Sequence, residues 1–233
     1  REACAGGATG DLVSPEQMTQ QLQDRPLSGL RVLELGQMVA APYCGKLLAD
    51  LGADVIKIER PRTGDGARRR GPFPDGVPHP EKSGLFLYLN TSKRGITLDL
   101  ETGAGREIFC RLVADAAALI DDYPPGELAR IGLAPEALAR ANPRLVHTSI
   151  TPFGTSGPHR DFRTHHLNVY HSSPHTTFST PAEGVPRRAP PLAGRYLAEY
   201  DAGLSAAVGT LAAVLGALAT GIGERVEVSK QEA

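Results

Sequence analysis

The chain is expected to fold as an α/β protein built on a doubly wound parallel sheet, and three observations lead there. Short apolar runs recur at residues 31–35, 54–59, 117–121 and 145–150, each the length of a strand buried on both faces. Stretches with helical spacing or helix-end residues alternate with them. Each strand–helix–strand step needs a crossover, which makes successive strands parallel.

The elements follow in order. Residues 1–25 are polar and read as a flexible leader, with a short helix possible over 15–23. Residues 31–35 (RVLEL) form the first strand, ended by Gly36. A helix over 42–51 has Pro42 in its first turn, where proline is tolerated, and Gly52 closes it. Residues 54–59 (DVIKIE) form the second strand. Residues 60–84 are rich in Pro and Gly and contain Arg68, Arg69 and Arg70 in a row, which predicts a long loop of the kind that often carries function. The apolar runs 85–89 and 96–100 bracket Ser92-Lys93-Arg94. A helix over 102–114 should present Ile108, Leu112 and Val113 on one face. A strand at 117–121, short helices near 127–131 and 135–141, and a strand at 145–150 come next. Residues 151–195 show little periodicity. A helix over 201–218, a break at 220–223 and a strand over 224–230 complete the pattern.

Composition excludes several classes. The formal net charge of −1 provides no electrostatic footprint for nucleic acid or an anionic membrane. Trp is absent and aromatics are 5%, which argues against base-stacking platforms. Cys4, Cys44 and Cys110 are scattered and odd in number, which fits reduced thiols in a cytoplasmic protein rather than a disulfide framework. The apolar stretch 204–218 is shorter than a membrane span and reads as a buried core helix. His residues are frequent, but no Cys or carboxylate stands at a convincing ligand spacing, so no metal is expected. His171 and His175 read as polar loop residues.

The loop after the first strand, Gly36-Gln37-Met38-Val39-Ala40-Ala41-Pro42, is not GxGxxG, and no GxxxxGK[ST] occurs. The ordinary dinucleotide and P-loop fingerprints are therefore missing from a Rossmann-like order of elements. Arg60 ends a parallel strand, the place where open α/β sheets bind ligands. The run Arg68–Arg70 could reach phosphates or an acidic substrate, or form a solvated loop face.

Six segments together resemble the class III CoA-transferase family, which also contains α-methylacyl-CoA racemases. They are PLSGLRVLEL from Pro26, LGADVIKIERP from Leu51 with Gly64-Asp65, and NTSKRGITLD from Asn90. The others are DDYPPG from Asp121 leading to Arg130-Ile131-Gly132, NPRLV from Asn142 with Phe153-Gly154 and Gly157-Pro158, and TGIGERVEVS from Thr220. Each is weak alone; their order over residues 26–233 carries the resemblance. It implies that 26–233 is the Rossmann-like large domain, that a small second domain is absent from this chain, and that the protein is an interlocked homodimer. It implies acyl-CoA and a carboxylic acid as substrates, with coenzyme A as the transferred group.

Residue roles come over position by position. Arg60 and Arg130 resemble arginines that hold CoA, Leu98 a backbone contact near the adenine, and Tyr123 an aromatic beside the nucleotide. Asp122 stands where the family commonly has Asn, and a carboxylate there would repel phosphates. Gln37, Met38, Val39 and Ala40 match the loop along the pantetheine arm and thioester. Counting back without gaps from Thr220-Gly221 puts Glu199 on the position of the family's nucleophilic aspartate, with Asp201 the alternative two residues on; acids are also common as helix-start residues. His165, with His166 beside it, aligns with the histidine of the racemase branch. The implied function is CoA transfer through a carboxylate nucleophile. The alternatives are a racemase using His165 with Glu199, and a catalytically silent CoA-binding or dimerisation half of a larger protein.

Overall fold

A computed structural model describes residues 25–174 and 194–233. Most of the expected leader, the helix over 15–23 and His175 lie outside the described residues. Six parallel strands form one sheet: β1 (Arg31–Glu34), β2 (Asp54–Glu59), β3 (Arg94–Thr97), β4 (Ala118–Asp121), β5 (Val146–Thr151) and β6 (Arg225–Ser229), in the order β3-β2-β1-β4-β5-β6. The order reverses between β1 and β4, so the expected doubly wound sheet is found, with its switch point at the loops after those two strands. Register pairs Leu33 with Ile56 on one side and with Leu119 on the other.

Helices cover both faces. On one side α1 (Ala40–Asp50) packs with α7 (Leu197–Thr220). Cys44, Leu48, Ala202, Ala206 and Val214 join Val32, Val55 and Val146 in one core. On the other side lie α3 (Gly103–Ala114), α4 (Glu127–Arg130) and α5 (Pro135–Ala141), whose Phe109, Val113, Leu128 and Leu138 meet Leu33, Ile56 and Leu119. The α3 face turns on Phe109 and Val113, while Ile108 is exposed. Thr102 starts α3 by accepting the Gly105 N–H at 3.0 Å, and Ser83 starts α2 (Gly84–Leu89) by accepting the Phe86 N–H at 3.1 Å. These are the side-chain caps that helix starts call for.

The run at 85–89, given no element from the sequence, is the short helix α2. Three assignments differ from expectation. The loop 60–84 contains two 3-10 turns, Gly66–Arg69 and Pro74–Gly76. The aperiodic middle contains α6 (His166–Ser172), so His171 is helical rather than in a loop. Finally, α7 begins at Leu197, not 201, because Tyr196 adopts a left-handed conformation (φ 66°) that turns the chain into the helix. At 24 residues α7 is long and apolar enough, by length and composition alone, to cross a membrane, so the shorter stretch read from the sequence understated it. Its small-residue face is core: Ala202, Gly203, Ala206, Thr210 and Ala213 are buried, and Thr210 exchanges a 2.7 Å hydrogen bond with Thr148 of β5.

Candidate active site at the carboxyl edge of the sheet

The loop after β1 makes a tight turn in which Met38 has φ 60°, a conformation that costs a non-glycine residue free energy. Two carboxylates hold it there. Asp65 accepts the Met38 N–H at 2.8 Å, and Asp122 accepts the Gln37 N–H at 3.0 and 3.2 Å. Asp65 also accepts from Ala67, capping the 3-10 turn Gly66–Arg69. Val39 and Ala40 are buried, whereas Gln37 is exposed.

Beneath the loop lies a buried charge network. The Lys57 ammonium donates to Glu34 Oε1 at 2.8 Å and to the Gly36 carbonyl at 2.9 Å, and lies 2.9 Å from Asp65 Oδ2. Lys93 donates to Glu34 Oε2 and to the Pro42 carbonyl, both at 2.7 Å. Two ammonium groups face two carboxylates, the balance that makes such burial tolerable. Burial alone would lower the Lys57 pKa; Glu34 and Asp65 outweigh it and hold the ammonium above its ordinary range. Burial prevails at Lys93 and pulls it below. The same surroundings push the Cys44 thiol up to about 12, through burial first and Glu34 second. Sequence reasoning missed this network, although a lysine inside the apolar run of β2 was its signal.

A second feature lies where β1, β2, β3 and β4 end. Leu35, Arg60, Leu98, Leu100, Tyr123 and Ile131 line one narrow pocket together with the carboxylates Glu59, Glu101 and Glu127. It thus gathers three of the residues singled out for nucleotide contact: Arg60, Leu98 and Tyr123. Arg130 sits at the rim, bonded to Glu101 and Glu127 at 2.8 Å. Asp122 does not line this pocket; its carboxylate turns toward the Gln37 loop. Burial pushes its pKa up to about 7, against the pull of Lys230 and of the Gln37 N–H. More of this carboxyl is neutral at a given pH than of an ordinary aspartate, which weakens the repulsion of phosphate expected of it.

Glu199 lies in the first turn of α7, buried, and its Oε2 has no hydrogen-bond partner among the described residues. It shares a face with Ala202, Gly203 and Ala206, at helical spacing. Gly203 is where the two helices touch: a Cβ there would stand 2.6 Å from the Ala40 carbonyl oxygen and 3.1 Å from the Tyr43 ring. Tyr43 and Tyr200 meet edge to face at 4.9 Å. Both helices are crossovers that start at the carboxyl edge. One turn back from Gly203, Glu199 therefore lies toward the Val39 end of α1. Asp201 is two residues round the helix, half-buried and off that face. Of the histidines, His165 is exposed at the start of α6, while the His166 ring lies 5.1 Å from that of Tyr196, beside the α7 start.

The three arginines of the long loop separate. Arg68 forms a bidentate pair with Glu59 (2.8 and 2.7 Å) and stacks on Phe86, which makes it structural. Arg69 donates to the Thr63 carbonyl. Arg70 faces a separate, larger cavity with Tyr88, Arg195, Tyr196 and Tyr200; apart from Arg70, the sequence reading singled out none of these. No group of three His, Cys, Asp or Glu among the described residues is arranged to hold a metal ion.

Comparison with known proteins places this arrangement. The profile of CoA-transferase family III matches residues 27–233. The chain is 35% identical over 206 residues to succinate–glutarate CoA-transferase of Agrobacterium fabrum, covering 88% of this chain and 50% of that protein. It is 40% identical over 207 residues to the BbsE subunit of succinyl-CoA:(R)-benzylsuccinate CoA-transferase of Thauera aromatica, covering 88% and 49%. Among solved structures, a CAIB/BAIF family protein from Brucella suis superposes with a TM-score of 0.79 at 34% identity, covering 89% of this chain and 53% of that one. The chain thus spans about half the length of the curated relatives it matches. With a matching profile over nearly all of its described residues and relatives at 35–40% identity, the chain belongs to CoA-transferase family III.

Proposed function

We propose that the whole protein transfers coenzyme A from an acyl-CoA to a free carboxylic acid, with Glu199 as the nucleophile. The observation that carries this reading is the buried, unpartnered Glu199 oxygen on the α7 face turned toward the Gln37–Ala40 loop. The Glu199 carboxylate attacks the thioester carbonyl and expels CoA thiolate, which leaves a mixed anhydride. The thiolate then attacks the glutamyl carbonyl, releasing the donor acid and forming a glutamyl–CoA thioester. The acceptor carboxylate reverses the two steps, and no atom is lost. Arg60, Leu98 and Tyr123, with Arg130 at the rim, hold the nucleotide; Gln37, Met38, Val39 and Ala40 line the pantetheine arm. With the Gln37 and Met38 N–H groups taken by Asp122 and Asp65, the backbone donors of this loop left for the oxyanions that form are those of Val39 and Ala40.

The names of the relatives favour transfer over racemisation and over a silent half. The exposure of His165 also weakens a proton-exchange pair with Glu199. A homodimer, a second domain and a cytoplasmic location are part of the same proposal, the last in keeping with the free thiols Cys44 and Cys110. The test is to mix the whole protein with acyl-CoA, quench with hydroxylamine and map hydroxamates by mass spectrometry. The expected product is a hydroxamate at Glu199, absent from Glu199→Gln. A hydroxamate at Asp201 would move the nucleophile; no adduct from protein that binds CoA would overturn the transfer reading.

A further inference from the structure

An open hollow of about 560 Å³ lies around Arg70, with Arg70, Arg195 and Tyr88 exposed along it; its volume is that of an organic-ligand site. It shares no lining residue with the nucleotide pocket at Arg60. Its walls carry two guanidinium groups, Arg70 and Arg195, and three phenol rings, Tyr88, Tyr196 and Tyr200. Among the described residues no carboxylate lines it, and neither guanidinium has an ion-pair or hydrogen-bond partner. Arg68, two residues from Arg70, is by contrast fully engaged with Glu59 and Glu81. Two unpaired cations on an otherwise apolar wall suit an anion attached to an apolar body, because guanidinium grips carboxylate through a planar fork. Tyr196 and Tyr200 belong to the turn of α7 that carries Glu199.

We propose that this cavity selects the acid substrate: Arg70 and Arg195 receive the distal carboxylate of a dicarboxylic acid, and the three tyrosines pack on its apolar or aromatic body. The reacting carboxylate then points past the tyrosines toward Glu199. The proposal rests on the CoA-transfer reading for its reaction but not for its binding site. A monocarboxylate of the same shape would leave both cations unanswered, so discrimination resides in these two side chains. The cavity is also far roomier than a two-carbon acid requires.

The experiment uses the whole protein, wild type and the variants Arg70→Gln and Arg195→Gln, with circular dichroism to check folding. Phenylsuccinate and glutarate are compared with 3-phenylbutanoate and pentanoate as acceptors. The expected result is that kcat/KM in wild type favours each dicarboxylate, and that the ratio falls about 10- to 100-fold in each variant, as loss of a charge-assisted hydrogen bond predicts. An unchanged ratio would overturn the proposal. Calorimetric titration of phenylsuccinate reads the site without turnover. If transfer fails for every donor, affinity that drops at least about tenfold in both variants still supports the site. Absent binding, or equal affinity in all three proteins, refutes it and leaves the Glu199 reading to its own test.

Discussion

Replacing Asp122 with asparagine removes a carboxyl whose ionisation the fold resists. The group ordinarily titrates at 3.8, and burial raises it to about 7 here. That gap corresponds to a ceiling of about 4 kcal/mol. The residue is only half-buried, and solvent contact reduces the figure to about 1–3 kcal/mol. The sign follows from proton binding. Between the two values the folded state holds the proton more tightly than the unfolded chain, so wild-type stability falls as pH rises from about 4 to about 7 and stays reduced above. The introduced amide has no such titration, and its oxygen can still accept the Gln37 N–H. Urea unfolding of both proteins from about pH 4.5 to about pH 8.5 measures the difference. The Asp122→Asn variant should gain relative stability steadily with pH and be ahead by about 1–3 kcal/mol at the alkaline end. A difference that stays flat within about 0.5 kcal/mol would refute the reasoning, as would a variant that loses ground at high pH.

Two further substitutions probe the frame. Lys57→Met leaves the buried Asp65 carboxylate without its ammonium partner and Glu34 with Lys93 alone and should cost about 3–5 kcal/mol in denaturant unfolding; a cost below about 1 kcal/mol would mean the network contributes little. Gly203→Ala places a methyl 2.6 Å from the Ala40 carbonyl oxygen, so α7 must move off α1 at a cost of about 1–3 kcal/mol; in the whole protein, hydroxamate yield at Glu199 should drop along with thermal stability, and a fully active, equally stable variant would show that the contact does not position the carboxylate.

Much of the fold was legible because its signals are local. The runs at 31–35, 54–59 and 145–150 are β-branched or apolar and too short for helices, and Gly52 closes α1 as a left-handed glycine should. The run at 85–89 is as apolar as a strand, and its helical start is capped by Ser83, which the loop 60–84 anchors by folding back. The start of α7 was misplaced because a left-handed Tyr196 is not foreseeable from a residue type that seldom adopts it. At the candidate site, Arg60 stood out as a residue at a parallel strand's end, while Leu98 and Tyr123 were singled out only through the family resemblance; the fold brings all three to one pocket. The different fates of Arg68, Arg69 and Arg70 were not, because they depend on Glu59, Thr63 and the α7 start, which the chain brings together only on folding.

The contact between Gly203 and Ala40 also bears on the order of events during folding. Its partners are distant in sequence, and one sits on the last crossover helix described while the other follows the first strand. Closing so long a loop is entropically uphill until the intervening parallel strands have paired, and parallel pairing is itself slow. The central strands and their flanking helices should therefore acquire hydrogen-exchange protection before α7 docks. Ligand-binding competence would emerge in the last kinetic phase of refolding, after most secondary structure has formed.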